Sequence, residues 1–380
     1  MEQKHIVMVS HDFLPNIGGV AVYVYELSKA LIARGHRLTV LSKYESFSKK
    51  NRTEELDGIR IIRVPIMPIK KVNDKLYSKR MRQLIKSIEK AEKVDVVHWQ
   101  TLNKDAKMMQ GIQVQALEVY TNHLSWFRML YNDKNYAKIR KLIKEPDVII
   151  CPSHEIERMT ADLFKEAKIV YLPNGVDEKS FIPDEVNRSI VRKQYGISPQ
   201  ETVVVSTNRM EPVKGMSYLI EAIPQILNKY NQVTFLIAGD GSQLEKFEDK
   251  LKKYTNKSGK VIFTGRLTNQ EIKNVINAAD IYVQPSLMEG CSIAIIEAMS
   301  CGKVVVASNV GGNPDVISKE LGLLVPAKSV VALKEAIEYC IENPEECKLM
   351  GKYSRERVEE QLNWTVLAQE IEQIYNSVKQ

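Results

Sequence analysis

The sequence predicts an α/β fold of two doubly wound domains, each built on a parallel β-sheet with helices on both faces. The chain of 380 residues is too long for one ordinary hydrophobic core. Short apolar runs rich in β-formers alternate with segments of helical periodicity along most of it. The alternation stops at 171–185, where Pro, Gly, Asn and Asp replace any periodic pattern and indicate a linker.

In the first half, the apolar run at 5–10 predicts a buried strand. Apolar residues then repeat at helical spacing from Val20 to Leu31, and Gly35 indicates where that helix ends. The same kind of apolar run predicts further strands at 37–42, 94–99, 114–121 and 147–153.

Beyond the linker the alternation restarts and predicts six more strands, at 201–207, 232–239, 260–265, 280–286, 303–308 and 322–326. Thr268 and Glu271 have the spacing of a capping box, for a helix that runs to about Ala279. The segment from Asn363 has helical periodicity but follows an already complete domain. We therefore expect a first domain at 1–175, a second at 185–362 and a terminal helix at 363–380.

The composition excludes several classes of protein. No apolar run approaches the roughly 20 residues of a membrane-spanning helix, and the first ten residues do not read as a secretory signal. Five cysteines without paired spacing are typical of a reducing compartment. The six histidines do not cluster with cysteines or acids at ligand spacing, so no metal site is predicted. We expect a cytoplasmic protein, possibly at the inner face of the membrane.

The net charge is unevenly distributed between the two halves. Residues 1–180 hold 31 Lys and Arg against 22 acids, whereas residues 181–380 hold 23 against 25. The first half therefore favours an anionic partner. No aromatic-interleaved or helix-turn-helix pattern supports nucleic-acid binding.

The segment 70–93 concentrates this charge, with nine Lys and Arg against three acids. Part of it has an apolar face, formed by Leu76, Met81, Leu84, Ile85 and Ile88. The pattern predicts weak, salt-sensitive association with an anionic membrane. An ordinary solvated helix packed on the first domain has the same pattern.

Two glycine-containing turns follow predicted strands. Gly18 and Gly19 precede the first helix, where paired glycines let backbone N–H groups approach a phosphate at the positive helix end. A tight turn uses the same residues. Gly239 and Gly241 open a second turn, but Leu244 stands where a dinucleotide-binding fingerprint has its third glycine.

Charged and titratable side chains also stand where strands end. Arg209 and Lys214 follow the first strand of the second domain, and two cations in one loop can clamp a diphosphate or remain solvated. His98 and His123 end strands of the first domain, and His11 lies beside the glycine pair. A histidine at a strand end is often structural.

The stretch MEGCSIAIIEAMSCG at 288–302 carries two acids in an otherwise small and apolar segment. If a helix begins near Ser292, Glu289 lies in the loop before it and Glu297 lies on it. Carboxylates beside a diphosphate clamp are suited to accept hydrogen bonds from sugar hydroxyls. The helix dipole favours acids in the first turn, but Glu297 lies further into the helix.

Taken together and in this order, the motifs resemble the retaining, nucleotide-sugar-dependent glycosyltransferases of family 4. The resemblance spans nearly the whole chain and rests on PNIGG, LPNGVD, RMEPVKG, AGDG, FTGR, AADIYVQPS, the Glu289/Glu297 pair, GGNPDVI and GLLVP. It implies the GT-B fold, in which two Rossmann-like domains face each other across a cleft. The acceptor would bind the first domain and the donor the second, and a C-terminal helix from Trp364 would cross back onto the first.

The resemblance also implies roles for individual residues. Arg209 and Lys214 would hold the donor diphosphate, Glu289 would contact the donor sugar, Glu297 the ribose, and His123 would lie near the reacting carbon. The catalytic set implied is His123, Arg209, Lys214 and Glu289. The donor-binding set implied is Gly18, Gly19, Arg209, Lys214, Gly239, Arg266, Glu289, Gly290, Cys291, Ser292, Ile293 and Glu297.

Four positions depart from the family pattern. Asn208 replaces the usual glycine before the arginine, and Gln100 stands where many members carry a second histidine after His98. Asp315 replaces a common glutamate. Cys291–Ser292 replaces an aromatic–glycine pair, which leaves the identity of the donor sugar open.

The resemblance predicts transfer of a hexose or N-acetylhexosamine from a nucleotide sugar to a glycan, lipid-linked or small-molecule acceptor, in cell-envelope or surface polysaccharide synthesis. A UDP-sugar is the first donor expected and GDP-mannose the second. No cofactor or metal is expected, since no DxD-type acid pair is present. The alternative is a non-catalytic partner of a glycosyltransferase. A nicotinamide-dependent dehydrogenase is disfavoured because GxGxxG is absent.

Overall fold

The computed structural model describes residues 2–15, 18–48, 50–67, 73–102, 104–123, 125–143, 145–256 and 260–377. The chain divides into two compact units. The first comprises Met1–Asn174 and Trp364–Gln380, and the second comprises Gly175–Asn363. The terminal helix therefore belongs to the first unit, although the second unit precedes it in the sequence.

The first unit is built on an eight-stranded sheet. Its strands are β1 His5–Val9, β2 Arg37–Glu45, β3 Arg52–Leu56, β4 Ile59–Ile66, β5 Val96–Trp99, β6 Leu117–Thr121, β7 Val148–Cys151 and β8 Lys168–Tyr171. They lie in the order β3-β4-β2-β1-β5-β6-β7-β8. All neighbours are parallel except β3, which pairs antiparallel with β4.

The helices of the first unit are α1 Gly19–Ala33, α2 Asn73–Ala91, α3 Asp105–Met109, α4 Ser125–Asn132, α5 Tyr136–Leu142, α6 His154–Ala161 and, from the end of the chain, α15 Trp364–Ser377. Helix α15 packs along α1, and its apolar residues share one core with those of α1. Leu367 and Ile371 belong to the same core cluster as Leu27 and Leu31. This packing is why α15 needs the first unit to bury its apolar face.

The five strands predicted for the first half are confirmed, but β3, β4 and β8 were not predicted. Every residue of β3 is exposed, so this edge strand carries no apolar pattern. One sequence signal was available: β3 and β4 are joined by Asp57 and Gly58, both at positive φ (49° and 77°), which is the Asp-Gly turn typical of β-hairpins.

Helix α2 contradicts the predicted free apolar face of 70–93, although 70–72 lie outside the described residues. Met81, Ile85 and Ile88 are buried, Leu76 and Leu84 are half-buried, and the helix packs against α3 and β4. The first unit therefore already uses the apolar face that membrane insertion would need. The outer face of α2 carries the exposed lysines Lys75, Lys79, Lys86 and Lys90.

The second unit is built on a six-stranded, all-parallel sheet. Its strands are β9 Thr202–Thr207, β10 Val233–Ala238, β11 Val261–Gly265, β12 Ile281–Gln284, β13 Val304–Ser308 and β14 Gly322–Val325, in the order β11-β10-β9-β12-β13-β14. All six were predicted. The strand order reverses direction between β9 and β12, which makes this the topological switch point of the sheet.

The helices of the second unit are α7 Glu185–Gln194, a 3₁₀ turn at Pro212–Lys214, α8 Met216–Lys229, α9 Leu244–Asn256, α10 Asn269–Ala278, α11 Ile293–Ser300, α12 Asn313–Val316, α13 Val330–Glu342 and α14 Pro344–Gln361. The predicted capping box of Thr268 and Glu271 is confirmed at the start of α10. Val203 and Val205 pack into one core and Val204 into the other. Both faces of the sheet are therefore covered, as the apolar runs indicated. Among the described residues of the whole chain, no helix is long and apolar enough to cross a membrane.

Candidate functional site

The sequence-predicted side chains of the second unit lie on loops at the carboxyl ends of its strands. Arg209 and Lys214 follow β9, and Glu289 follows β12. These are the two strands at the switch point, where loops in parallel sheets separate and leave room for a ligand. Gly290, Cys291 and Ser292 continue the loop after β12 up to the start of α11.

Glycines allow the loops to approach each other more closely than any side chain would permit. Gly215 has φ +62°, and a Cβ there would lie 2.0 Å from the carbonyl oxygen of Pro285. Gly311 has φ +59°, and a Cβ there would lie 1.9 Å from the carbonyl oxygen of Glu289. The loops after β9 and β13 therefore both press directly on the backbone of the loop that carries Glu289.

Gly239 makes a similar contact further along the same edge. It has φ +137°, and a Cβ there would lie 1.9 Å from the carbonyl oxygen of Asn208. Its backbone N–H donates to the carbonyl oxygen of Gly265 at 2.8 Å, so that donor is already used within the protein. Packing alone explains this glycine, and its contact with the nucleotide stays a prediction.

Three donors converge on one oxygen of the Glu289 carboxylate. Oε1 accepts hydrogen bonds from Lys214 Nζ at 2.7 Å, from Ser286 Oγ at 2.6 Å and from Gln284 Nε2 at 3.0 Å. The Glu289 side chain is buried, with 8% of its surface exposed, so this charge needs such partners. Within the described part of the chain, Oε2 receives no hydrogen bond. One carboxylate oxygen is thus fixed and the other remains available.

The donors to Glu289 are themselves held by a buried polar chain. The Gln284 Oε1 atom accepts from the hydroxyl of Tyr282 at 3.3 Å, and that hydroxyl is 2.8 Å from Thr207 Oγ1. Thr207 ends β9 and Gln284 ends β12, so the chain joins the two strands of the switch point. Sequence reasoning missed it; the signal was a glutamine within the apolar strand at 281–284.

Glu297 has a different environment on the second turn of α11. Among the described residues, no side chain or backbone group donates a hydrogen bond to its carboxylate. Part of the side chain remains accessible, yet burial raises its pKa to about 7. A ligand that donates hydroxyl groups would satisfy this carboxylate, which the protein leaves unsatisfied.

The remaining donor-site predictions lie near the same edge. Ser292 is the N-cap of α11, forms no side-chain cap, and is followed by Ile293 without any acid in the first turn. The positive helix end is therefore open to an anion. Arg209 is exposed and forms no ion pair with any described residue. Arg266 is also exposed, but it follows β11 at the edge of the sheet, two strands from the switch point.

In the first unit, Gly18 and Gly19 form the N-terminus of α1. Gly18 is the N-cap with an extended backbone, and both glycines are exposed. A Cβ at either would meet nothing within 4 Å. Neither backbone geometry nor packing within the described residues requires glycine here, so close approach by a ligand remains as the reason. Asn16 and Ile17, in the same predicted motif, lie outside the described residues.

His123 follows β6 and is held on two sides. Its Nε2 is 2.9 Å from Gln100 Oε1, and its ring meets the ring of Tyr23 edge-on at 4.7 Å between centroids. Burial lowers the pKa of His123 to about 3, so the ring is neutral at physiological pH. A neutral imidazole can offer hydrogen bonds but no charge to a ligand.

The other two candidate histidines have packing roles. His98 is fully buried, with Nδ1 2.8 Å from the hydroxyl of Tyr375 and Nε2 2.7 Å from Thr121 Oγ1, so it ties α15 to the sheet. His11 is buried as well, and its backbone N–H donates to Asp105 Oδ1 at 2.9 Å. Both histidines therefore stabilise the edge on which His123 lies.

The described residues contain no group of three or more His, Cys, Asp or Glu side chains placed to hold a metal ion. All five cysteines are buried free thiols. The chemistry that the second unit offers is therefore that of fixed carboxylates, two cations and an open helix end. Such groups bind hydroxyls and phosphates together.

Comparison with known proteins gives matches over both units. The family described as Glycosyltransferase Family 4 matches residues 17–180, and the family described as Glycosyl transferases group 1 matches residues 187–357. A phosphatidylinositol N-acetylglucosaminyltransferase from Arabidopsis thaliana is 27% identical, over 98% of this chain and 81% of its own.

Two further matches span the full length. A GDP-mannose-dependent monoacylated alpha-(1-6)-phosphatidylinositol monomannoside mannosyltransferase from Corynebacterium glutamicum is 26% identical, over 98% of each chain. Among solved structures, a sucrose-phosphate synthase from Thermosynechococcus elongatus superimposes with a TM-score of 0.82 over 99% of each chain, at 24% identity. The fold is thus that of the GT-B glycosyltransferases.

The pKa of Glu297 predicts how the free protein responds to pH. Because its folded-state pKa is above the ordinary value of 4.5, the folded protein binds more protons between these values, and stability is lost as the pH rises through 7. We expect E297Q to be more stable than wild type at pH 8, by roughly 1–3 kcal/mol, with a much smaller gain at pH 5.

Differential scanning calorimetry of the ligand-free proteins at both pH values measures this. E248Q makes the same charge change at an exposed position on α9 and is the matched control. A gain for E297Q that is the same at pH 5 and pH 8 would contradict the prediction.

Proposed function

Because this chain belongs to glycosyltransferase family 4, we propose that it moves a hexose or N-acetylhexosamine from a nucleotide sugar to a lipid-linked acceptor. The enzyme is a glycosyltransferase, and the proposal concerns its donor, acceptor and mechanism. The donor would bind the second unit and the acceptor the first. We propose that the configuration of the sugar is retained, as in the group that the motifs resemble.

The observation that carries the proposal is the Glu289 carboxylate, fixed through Oε1 and open at Oε2. A sugar presents hydroxyl groups, which are hydrogen-bond donors and need a positioned acceptor. Lys214 stands on the same carboxylate at 2.7 Å. A group that binds hydroxyls is therefore in direct contact with one that binds phosphate, as the junction of sugar and diphosphate in a nucleotide sugar requires.

Lys214 would link the two parts of the donor. Its ammonium group has three N–H donors, of which one is used by Glu289, leaving two for the diphosphate. Arg209 and the open N-terminus of α11 would add positive charge. The departing diphosphate gains negative charge as the bond to the sugar breaks, and such fixed groups stabilise that charge. We propose that no metal ion is needed for this step.

Glu297 would bind the ribose through its two hydroxyls, which supply the hydrogen bonds that the protein lacks. The base remains to be assigned by experiment. UDP-sugars are our first candidates. GDP-mannose is the second, and it is favoured by the full-length similarity to a GDP-mannose-dependent mannosyltransferase.

The acceptor that we propose is a lipid with an anionic headgroup. Both relatives are named for transfer to phosphatidylinositol or to its mannoside. The excess of 31 cations over 22 acids in residues 1–180 favours such an acceptor. The exposed lysines of α2 give part of this charge an ordered surface.

Turnover with defined substrates tests the proposal. The purified chain is incubated with UDP- or GDP-sugars and vesicles containing phosphatidylinositol, and free nucleoside diphosphate and glycolipid are measured. We expect one nucleotide class to be consumed, equally well with EDTA as with magnesium. Loss of turnover in EDTA, restored by a divalent ion, would contradict the metal-free mechanism. Binding of a sugar nucleotide without turnover would favour the non-catalytic alternative.

The two glutamates should differ in their effect on nucleotide binding. E297A removes the ribose contact and should weaken binding of the free nucleoside diphosphate, by about 10–150-fold for a hydrogen bond to a charged group. E289A removes a contact to the sugar, which the free diphosphate lacks, so its affinity should stay within about threefold. Its kcat should fall instead, because the sugar changes most in the transition state.

Isothermal titration calorimetry of the diphosphate into wild type, E289A and E297A measures the division. Each variant serves as the matched control of the other, since both remove one glutamate from the same edge of the sheet. Equal losses of affinity, or a larger loss in E289A, would refute the assignment.

Membrane association should be electrostatic, since the apolar face of α2 is buried. We expect the protein to float with anionic vesicles at low salt and to be released at high salt, because about 1 kcal/mol per lysine at the surface is screened by salt. Reversing Lys79, Lys86 and Lys90 to Glu should abolish flotation. Reversing Lys246, Lys250 and Lys253 on α9 is the control. Equal binding to neutral vesicles would rule the proposal out.

A further inference from the structure

His123 forms one side-chain hydrogen bond among the described residues, and its partner determines where the ring proton lies. The partner atom is the amide oxygen Oε1 of Gln100, 2.9 Å from Nε2. An amide oxygen only accepts hydrogen bonds. Nε2 must therefore carry the proton, and in a neutral ring Nδ1 is then left as an unprotonated acceptor.

We propose that Gln100 is a positioning residue that holds His123 as the neutral, Nε2-protonated tautomer. Nδ1 is thereby kept as an acceptor for a hydroxyl group of the substrate. The tautomer follows from the geometry alone. Its use in catalysis rests on the proposed function and on the expected place of His123 near the reacting carbon.

The surroundings of both side chains favour a fixed arrangement. Gln100 is fully buried, and its amide nitrogen faces Met8 Sδ at 3.8 Å, which leaves the amide oxygen for His123. On the other side, the Tyr23 ring packs edge-on against the His123 ring, and Trp364 of α15 packs edge-on against Tyr23 at 5.4 Å. The imidazole is thus held by a hydrogen bond on one edge and by an aromatic ring beside it.

An amide at position 100 has a consequence that an acid would not have. A carboxylate beside an imidazole stabilises the charged ring and raises its pKa, whereas an amide adds no charge. Burial already lowers the pKa of His123 to about 3. Gln100 therefore fixes the tautomer without promoting protonation of the ring.

No neighbouring titratable group of the described residues changes charge between pH 5 and pH 9. His98 on β5 faces His123, and burial lowers its pKa to about 3. Tyr23 on α1 has its pKa raised by burial to about 12, and that of Tyr375 on α15 is raised further. The state of His123 should therefore be constant over this range.

Nitrogen NMR of histidine-labelled protein tests the tautomer without any substrate. In the wild type we expect the His123 signals of a neutral ring with the proton on Nε2, unchanged from pH 5 to pH 9. A ring protonated on Nδ1, or an imidazolium at pH 7, would overturn the proposal. Assignment uses the loss of the signal in H123N.

Variants of Gln100 then test whether catalysis depends on this state. Q100L removes the acceptor, and we expect mixed tautomers and a kcat lower by roughly fivefold or more at every pH. Q100E keeps an acceptor for Nε2–H but raises the pKa of the ring. Its kcat relative to wild type should be near normal at pH 9 and should fall as the pH is lowered and the ring becomes charged. Q110E makes the same charge change at a surface residue of the first unit and should follow the wild-type profile.

The two sets of measurements separate failure of this inference from failure of the proposed function. If no sugar nucleotide is turned over, the NMR result still decides the tautomer. If turnover occurs but the Q100E-to-wild-type ratio of kcat is flat while NMR shows the ring to be charged, the positioning role is wrong. Should Q100E not fold, as judged by circular dichroism, Q100L and the wild-type spectra decide.

Discussion

The second unit depends on one buried charge, the carboxylate of Glu289. Removing a carboxylate from water is costly unless donors replace the water, and here Lys214, Ser286 and Gln284 all do so at a single oxygen. Lys214 comes from the loop after β9 and the other two donors from the end of β12 and the loop after it. The ion pair therefore fixes two loops at once, and Gly215 permits the close approach that this requires.

The first unit solves a related problem without charge. A chain of neutral contacts runs from Tyr375 through His98 and Thr121 to Tyr23 and His123. Burial keeps both histidines neutral, so the edge of this sheet offers directed hydrogen bonds but no cation. The two units thus supply different chemistry, with positive charge where a diphosphate would leave and a neutral acceptor where a sugar would react.

The sequence predicted the strands of the second unit because strands buried on both faces are continuous apolar runs. It did not predict β3, whose residues are all exposed. The pairing of Lys214 with Glu289 was missed because the two residues are 75 positions apart, and they meet only because β9 and β12 are neighbours. Nor could periodicity show whether Met81 and Ile85 of α2 face solvent or a core.

The contrast between Glu289 and Glu297 indicates which features the protein needs for itself. Three donors at the switch point go to Glu289, whereas no described residue donates to Glu297. An acid whose pKa is raised to about 7 by burial destabilises the ligand-free fold at neutral pH. Packing does not explain such a residue on an otherwise apolar helix, since a neutral side chain would stabilise the fold more. Local conflicts of this kind persist where a ligand relieves them, and a ribose with two adjacent hydroxyls is a ligand of that chemistry.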